Sequence, residues 1–188
     1  MRHHTHNGSG HGAGMAVATA AVGFVAGLAA SHARKAAAQA PALAAGDWVD
    51  ALSAEHRMVE ALFERLLATD DSQAGKRETL LAKIAYALTK HAVEEENTVY
   101  PALRAVDAER AKHLFEDHAD IKGFIYELRA MDAGTPAWLE KARAFQACIQ
   151  HHVREEEDEV FPFFRSRMTD EENARLTRSL NWEGFKVA

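Results

Sequence analysis

The chain has 188 residues, 22 Lys and Arg against 28 Asp and Glu, and a single cysteine. That length suits one globular domain with an extension, and one cysteine excludes an internal disulfide. Arg2, Arg34 and Lys35 are the only charged residues before Asp47, so the rest of the chain holds the other 19 basic residues and all 28 acidic ones, a balance that argues against a nucleic-acid-binding surface.

Two regions follow from composition, residues 1–46 and 47–188. The first opens with a His- and Gly-rich tail carrying His3, His4, His6 and His11. Met15 to Ala30 is then an uncharged, Ala-rich run containing Gly23 and Gly27. As a helix its sixteen residues would span about 24 Å, short of the roughly 30 Å hydrocarbon core of a bilayer. Three readings stay open: a short membrane anchor packed through small residues, a signal peptide, or a helix that packs on the domain or a partner. An anchor followed by Arg34 and Lys35 would leave the domain on the cytoplasmic side of the inner membrane, and without one a cytoplasmic location is expected. A small-residue linker broken by Pro41 leads to the second region.

From Asp47 onward the pattern is helical throughout. Helix one is expected from about Asp47, a capping residue, to Thr69, and helix two from about Gly75 to Val106. Helix three spans about Asp107 to Met131. The turn at Asp132–Thr135 supplies an N-cap at Thr135 and a proline at the first position of helix four, which runs to about Met168. A short last helix opens at Thr169 with acidic residues in its first turn, and Trp182 and Phe185 are expected to pack on the bundle. Pro101 and Pro162 should kink or end their helices. Short loops make neighbours antiparallel, so the expected fold is all-α: an up-and-down four-helix bundle with an N-terminal Ala-rich helix and a short C-terminal one.

One stretch occurs twice. His91 and Glu95 stand four apart ahead of Tyr100-Pro101, and His152 and Glu156 stand four apart ahead of Phe161-Pro162. Residues i and i+4 share a helix face. The apolar stripes Ile84 and Leu88, and Phe145, Cys148 and Ile149, run straight into these pairs, so the four polar side chains face inward. Buried charges are paired or coordinate metals, and Lys and Arg are missing from these stripes near the motif, which disfavours a salt-bridged core. Two more histidines interrupt apolar seams: His56 among Val49, Leu52, Val59 and Phe63, and His118 among Leu114, Ile121 and Ile125. His56 recurs as His118 after 62 residues and His91 as His152 after 61, an internal duplication with pseudo-twofold symmetry. Counted from their loops, all four fall within about one turn of a common level. The candidate metal ligands are therefore His56, His91, Glu95, His118, His152 and Glu156, a mixed imidazole and carboxylate set suited to two transition-metal ions. His113, Tyr100 and His151 are candidates for supporting those ligands. Most of Glu94, Glu96, Glu155 and Glu157 are expected to form a solvated acidic face, with a minority orienting imidazoles.

This pattern resembles the hemerythrin-like (HHE cation-binding) family across about residues 47–168. The resemblance implies an antiparallel bundle around a non-haem centre of two iron ions, bridged by Glu95 and Glu156. The chain departs from the oxygen-carrying hemerythrins, which have a His four residues before the third-helix ligand; Leu114 stands there, and His113 is turned about 100° away. The ligand set looks more like those of the di-iron proteins of iron–sulfur-cluster repair and of an iron-sensing domain. The cysteine-bearing domain of the repair proteins has no counterpart here, so repair activity does not carry over.

The expected function is binding of two iron ions in a protein that senses or handles O2, NO, peroxide or iron in a stress response, more a binding protein than an enzyme. Two alternatives remain open: a di-iron enzyme of peroxidase-like or repair type, and a metal-stabilised interaction module tethered to a membrane or protein partner through residues 15–30. Because the His set is even, both ions are expected to keep open positions, and long-lived, reversible oxygen carriage is not expected.

Overall fold

A computed structural model describes Met1, Lys35 and residues 46–188. The His-rich tail, the run at 15–30 and the linker residues 36–45 lie outside the described residues. Among the described residues, no helix is long and apolar enough to cross a membrane.

Four helical arms make the bundle. The first is α1 (Trp48–Leu67), started by Asp47, whose carboxylate accepts from the Val49 and Asp50 amides while Asp50 reaches back to the Asp47 amide. A 3-10 turn at Asp71–Gln73 leads to α2 (Ala74–Glu94). The second arm continues through a π-helical turn, Glu95–Val99, into α3 (Tyr100–Arg104). Asp107 caps α4 (Ala108–Ala130), and Thr135 caps α5 (Pro136–Glu155) by accepting from the Trp138 amide. The fourth arm repeats the second, with a π turn at Glu156–Val160 and then α6 (Phe161–Arg165).

The prolines do not interrupt their helices within the motif, and the α segments that hold them end just past it, at Arg104 and Arg165. A proline in a helix clashes with the carbonyl four residues back and leaves it without a donor. Each proline instead follows a π turn and sits in the first turn of a new α segment, where a missing N–H is tolerated. The last helix is also not short: α7 (Asp170–Val187) has 18 residues and opens with a capping box between Thr169 and Glu172. It packs through Leu176 and Leu180, and the Trp48 indole donates to Asn173 Oδ1 at 2.8 Å. Trp182 does not join the core; it is 61% exposed and stacks on Phe185.

The apolar core has two parts. One surrounds Phe63, Ile84, Trp138 and Phe145 toward the loops at residues 68–73 and 131–135. There the buried Arg77 guanidinium donates to Thr69 Oγ1 and Ala133 O, tying those loops together. The other part surrounds Trp48, Tyr100, Leu114 and Phe161. Between them lies a layer in which His56, His91, Glu95, His118, His152 and Glu156 are all buried.

Candidate metal centre

All six side chains singled out from the sequence converge in that layer. His56 comes from α1, His91 from α2, His118 from α4 and His152 from α5, with Glu95 and Glu156 opening the two π turns. His56 Nε2 lies 3.0 Å from His91 Nε2. His91 Nε2 and His118 Nε2 approach Glu95 Oε2 at 3.1 and 3.3 Å. His56 Nε2 and His152 Nε2 each approach Glu156 Oε2 at 3.4 Å. Two donors on one ion at about 2.1 Å are about 3.0 Å apart at a right angle and about 3.4 Å apart at a tetrahedral angle. The donor spacings are thus those of coordination-polyhedron edges.

Each histidine is held by a carboxylate at its other nitrogen. His56 Nδ1 meets Glu157 at 2.8 Å, His91 Nδ1 meets Glu55 at 3.2 Å, His118 Nδ1 meets Glu96 at 2.9 Å and His152 Nδ1 meets Asp117 at 3.3 Å. A neutral imidazole that donates from Nδ1 has a bare lone pair on Nε2, and a carboxylate partner of this kind orients metal-ligating histidines. All four Nε2 atoms point into the layer. The close facing of His56 Nε2 and His91 Nε2 calls for a proton or a metal ion between them. Among the described residues, Glu95 Oε1, Glu156 Oε2 and His152 Nε2 are buried without a hydrogen bond. Orphaned polar atoms at one level mark a place where a ligand belongs.

Titration follows the same geometry in the metal-free protein. Burial opposes charging His91, yet Glu95 and Glu55 hold it well above the ordinary imidazole range. Burial opposes charging His118 too, but Glu95 and Glu96 lift it to about 9. Burial would raise Glu95, and His91 and His118 hold it well below the usual carboxylate range. Protons here sit where a metal ion would otherwise supply the positive charge.

The hemerythrin HHE cation-binding domain model matches residues 47–164. The chain belongs to the hemerythrin HHE cation-binding family. A DNA nickase of Nostoc sp. is 27% identical over 124 residues, covering 65% of this chain and 35% of that protein. An uncharacterized hemerythrin-like protein of Schizosaccharomyces pombe is 24% identical over 134 residues, covering 69% of this chain and 65% of that one. The chain thus spans about a third of the first relative and just under two thirds of the second. The crystal structure of a hemerythrin HHE cation-binding domain-containing protein from Mycobacterium kansasii superposes with a TM-score of 0.67 at 19% identity, over 76% of this chain and 87% of that one, a likeness of fold.

Within this hemerythrin-like domain, Tyr100 belongs to the centre. Its hydroxyl lies 2.7 Å from Glu156 Oε1, 3.1 Å from Glu95 Oε2 and 3.0 Å from His118 Nε2. Five residues on a regular helix would turn Tyr100 about 140° away from Glu95. The π turn, closed by the Tyr100 amide on the Glu95 carbonyl, returns it to the same face. Burial, with Glu156 and Glu95 nearby, pushes the phenol well above its ordinary range, so it stays an O–H donor. The equivalent residue in the second arm, Phe161, lies parallel to the His56 ring with centroids 6.2 Å apart. The His set is even, two to each half, and the two halves differ in the aromatic residue beside them.

Other expectations need correction. Glu94 and Glu96 do not belong to a solvated face: Glu94 is fully buried, and Glu96 and Glu157 hold histidines. A lysine is also buried beside the motif. Lys90 lies one residue off the stripe, and its ammonium donates to Glu94 at 2.7 Å and to Glu55. His113 is an exposed residue that pairs with Glu155 and does not reach the inner layer, and His151 is exposed.

On the side away from Tyr100, a cavity of about 30 Å³ opens over all four imidazoles, walled by Val59, Leu88, Ile121, Ile125 and Ile149. About 10–15 Å³ admits one water, so this space suits a molecule of two or three heavy atoms. Its polar wall residues are engaged elsewhere: Thr89 donates to Ala85 O, and Lys122 pairs with Glu96.

Proposed function

We propose that this chain binds two iron ions and uses them to sense or handle a small ligand of the O2, NO or peroxide class. His56 and His91 would hold one ion and His118 and His152 the other, with Glu95 and Glu156 shared between them. The observation that carries this reading is the ring of four Nε2 atoms turned inward, each imidazole anchored at Nδ1 by a carboxylate. Imidazole with carboxylate suits iron among the redox-active metals, and bound iron would supply reversible one-electron chemistry.

The protein's own residues set the rest. The carboxylates orient the rings and make Nε2 more basic, which strengthens it as a donor to a metal ion and, in the metal-free protein, to a proton. Tyr100 holds a proton at Oη against the shared carboxylates, on the side remote from the cavity. The cavity admits a diatomic or peroxide and is too small for an organic substrate. Its walls are mostly aliphatic, and the two protic side chains among them are engaged, Thr89 with Ala85 O and Lys122 with Glu96, which supports binding and sensing over proton-coupled turnover.

The nickase description belongs to a relative three times longer in relation to the matched part. The acidic balance of this chain supports no role on nucleic acid. The test is anaerobic purification with optical and EPR spectra of the reduced protein before and after stoichiometric NO, then air. The expected result is a new NO-dependent spectrum, and in air prompt oxidation without reversible oxygen release. A reduced iron protein silent to NO would overturn the small-ligand reading, and steady consumption of peroxide would favour an enzyme instead.

A further inference from the structure

The internal duplication places equivalent side chains on both flanks of the bundle, and the flanks differ. On the first, Glu55 and Glu94 clamp the Lys90 ammonium, and all three are buried. The last helix closes this flank. It packs along α1 and α2, with the Trp48 amide donating to Thr177 Oγ1 at 3.1 Å and Asn97 donating to Glu183 at 3.2 Å. A fixed cation thus satisfies the two carboxylates.

On the second flank, Asp117 and Glu155 occupy the positions equivalent to Glu55 and Glu94. The Lys90 position is filled by His151. His113 stands where the first flank has the buried Ala51. His113 Nε2 lies 3.2 Å from Glu155 Oε2, and His113 Nδ1 lies 4.0 Å from Asp117 Oδ1. One donor atom from each residue falls within 4.8 Å of the others. The His113 side chain is 52% exposed, and the two acids are about one-fifth exposed. Where the first flank is plugged by an ammonium, the second offers an imidazole and two carboxylates to solvent. Asp117 also faces both ways: Oδ1 is turned to His113, and Oδ2 lies 3.3 Å from His152 Nδ1 in the buried layer.

We propose that His113, Asp117 and Glu155 form a further divalent-cation site on the bundle surface, which captures a transition-metal dication and serves as the port through which the buried centre is loaded. One imidazole with two carboxylates selects a first-row dication over Ca or Mg. Three protein donors on an exposed flank leave positions for water and make exchange fast, as a port requires. The acidic domain raises the local cation concentration. The site stands on its own geometry; the port role rests on the reading of the buried layer as a metal centre.

The test uses the full chain, stripped of metal, with Co2+ for binding and Fe2+ under anaerobic conditions for loading. Parent protein should bind one more equivalent of Co2+ than His113→Ala combined with Glu155→Gln. Affinity at that extra site should fall at least about tenfold in the single variant His113→Ala. Glu116→Gln, an exposed acid on α4 outside the cluster, should bind like the parent. In the Fe2+ experiment, His113→Ala should load the buried layer more slowly than the parent and reach the same final iron content in that layer. Equal Co2+ stoichiometry and affinity in parent and variants would overturn the site. Loss of Co2+ binding with an unchanged loading rate would overturn the port role. If the buried layer took no iron in any protein, the extra Co2+ equivalent, its loss in the double variant and its weakening in His113→Ala would still decide the site.

Discussion

Replacing Tyr100 with Phe isolates one hydroxyl. The shape is tolerable, because Phe161 fills the equivalent position in the second arm. In the metal-free protein the Tyr100 hydroxyl is the donor nearest Glu156 Oε1, at 2.7 Å, and both groups are fully buried. A hydrogen bond to a buried charged group contributes about 1.5–3 kcal/mol, and removing only the donor leaves the acceptor unsatisfied. In a protein of this size each kcal/mol moves the melting midpoint by about 2–4 °C, so metal-free Tyr100→Phe should melt about 3–12 °C below the parent. With metal bound, the shared carboxylates give charge to the ions and become weaker acceptors, so the drop should shrink to about 1 kcal/mol, or about 2–4 °C. Thermal unfolding of parent and variant, each with and without metal, measures the four midpoints. An unchanged metal-free midpoint would show that Tyr100 does not hold the carboxylates. An equal drop in both states would show that they are not metal ligands.

Three further outcomes follow from the same geometry. Loading parent protein at about a thousandfold excess over Kd should stabilise it by about 4 kcal/mol, seen as a midpoint rise of about 8–16 °C; identical midpoints would mean that metal does not bind the folded layer. Glu96→Gln or Glu157→Gln should lower metal affinity about 10–100-fold at the half holding the affected imidazole, His118 or His56 respectively, as read by competition with a chelator; parent-like affinity would make these carboxylates bystanders. His118 in the metal-free protein is raised to about 9 from an ordinary 6.5, so its contribution is complete below about pH 6.5 and is lost as pH rises through about 9. Metal-free protein should therefore lose stability across that interval, while metal affinity rises because binding releases the same protons; urea titrations of metal-free protein flat over that range would contradict it.

Where local chemistry decides, the sequence was readable. Asp47, Thr135 and Thr169 begin helices because their side chains reach the first free amides, a matter of two or three residues. The six inward residues were readable because polar side chains on an apolar stripe have nowhere else to go. Tyr100 sits beside Glu95 only through the π turn, which ordinary helical periodicity does not predict. The acids on the histidines lie off the stripe of their own helices and reach Nδ1 of a ring on a neighbouring one, as Glu55 reaches His91. The repetition of Glu55-His56 as Asp117-His118, and of Glu95-Glu96 as Glu156-Glu157, was the available signal for them. The burial of Lys90 and Glu94 depends on tertiary packing, as does the exposure of Trp182, and neither is written in local pattern.

On the proposed function, the four inward imidazoles and two glutamates hold two metal ions. Anomalous diffraction at the iron edge, on crystals of anaerobically iron-loaded protein, tests it most directly. Two peaks are predicted about 3.5–4 Å apart, as in other two-metal sites. One should lie against His56 and His91 Nε2 and the other against His118 and His152 Nε2, with Glu95 and Glu156 between them. A single peak, or iron found solely at the His113 flank with the inner layer bare, would contradict the account.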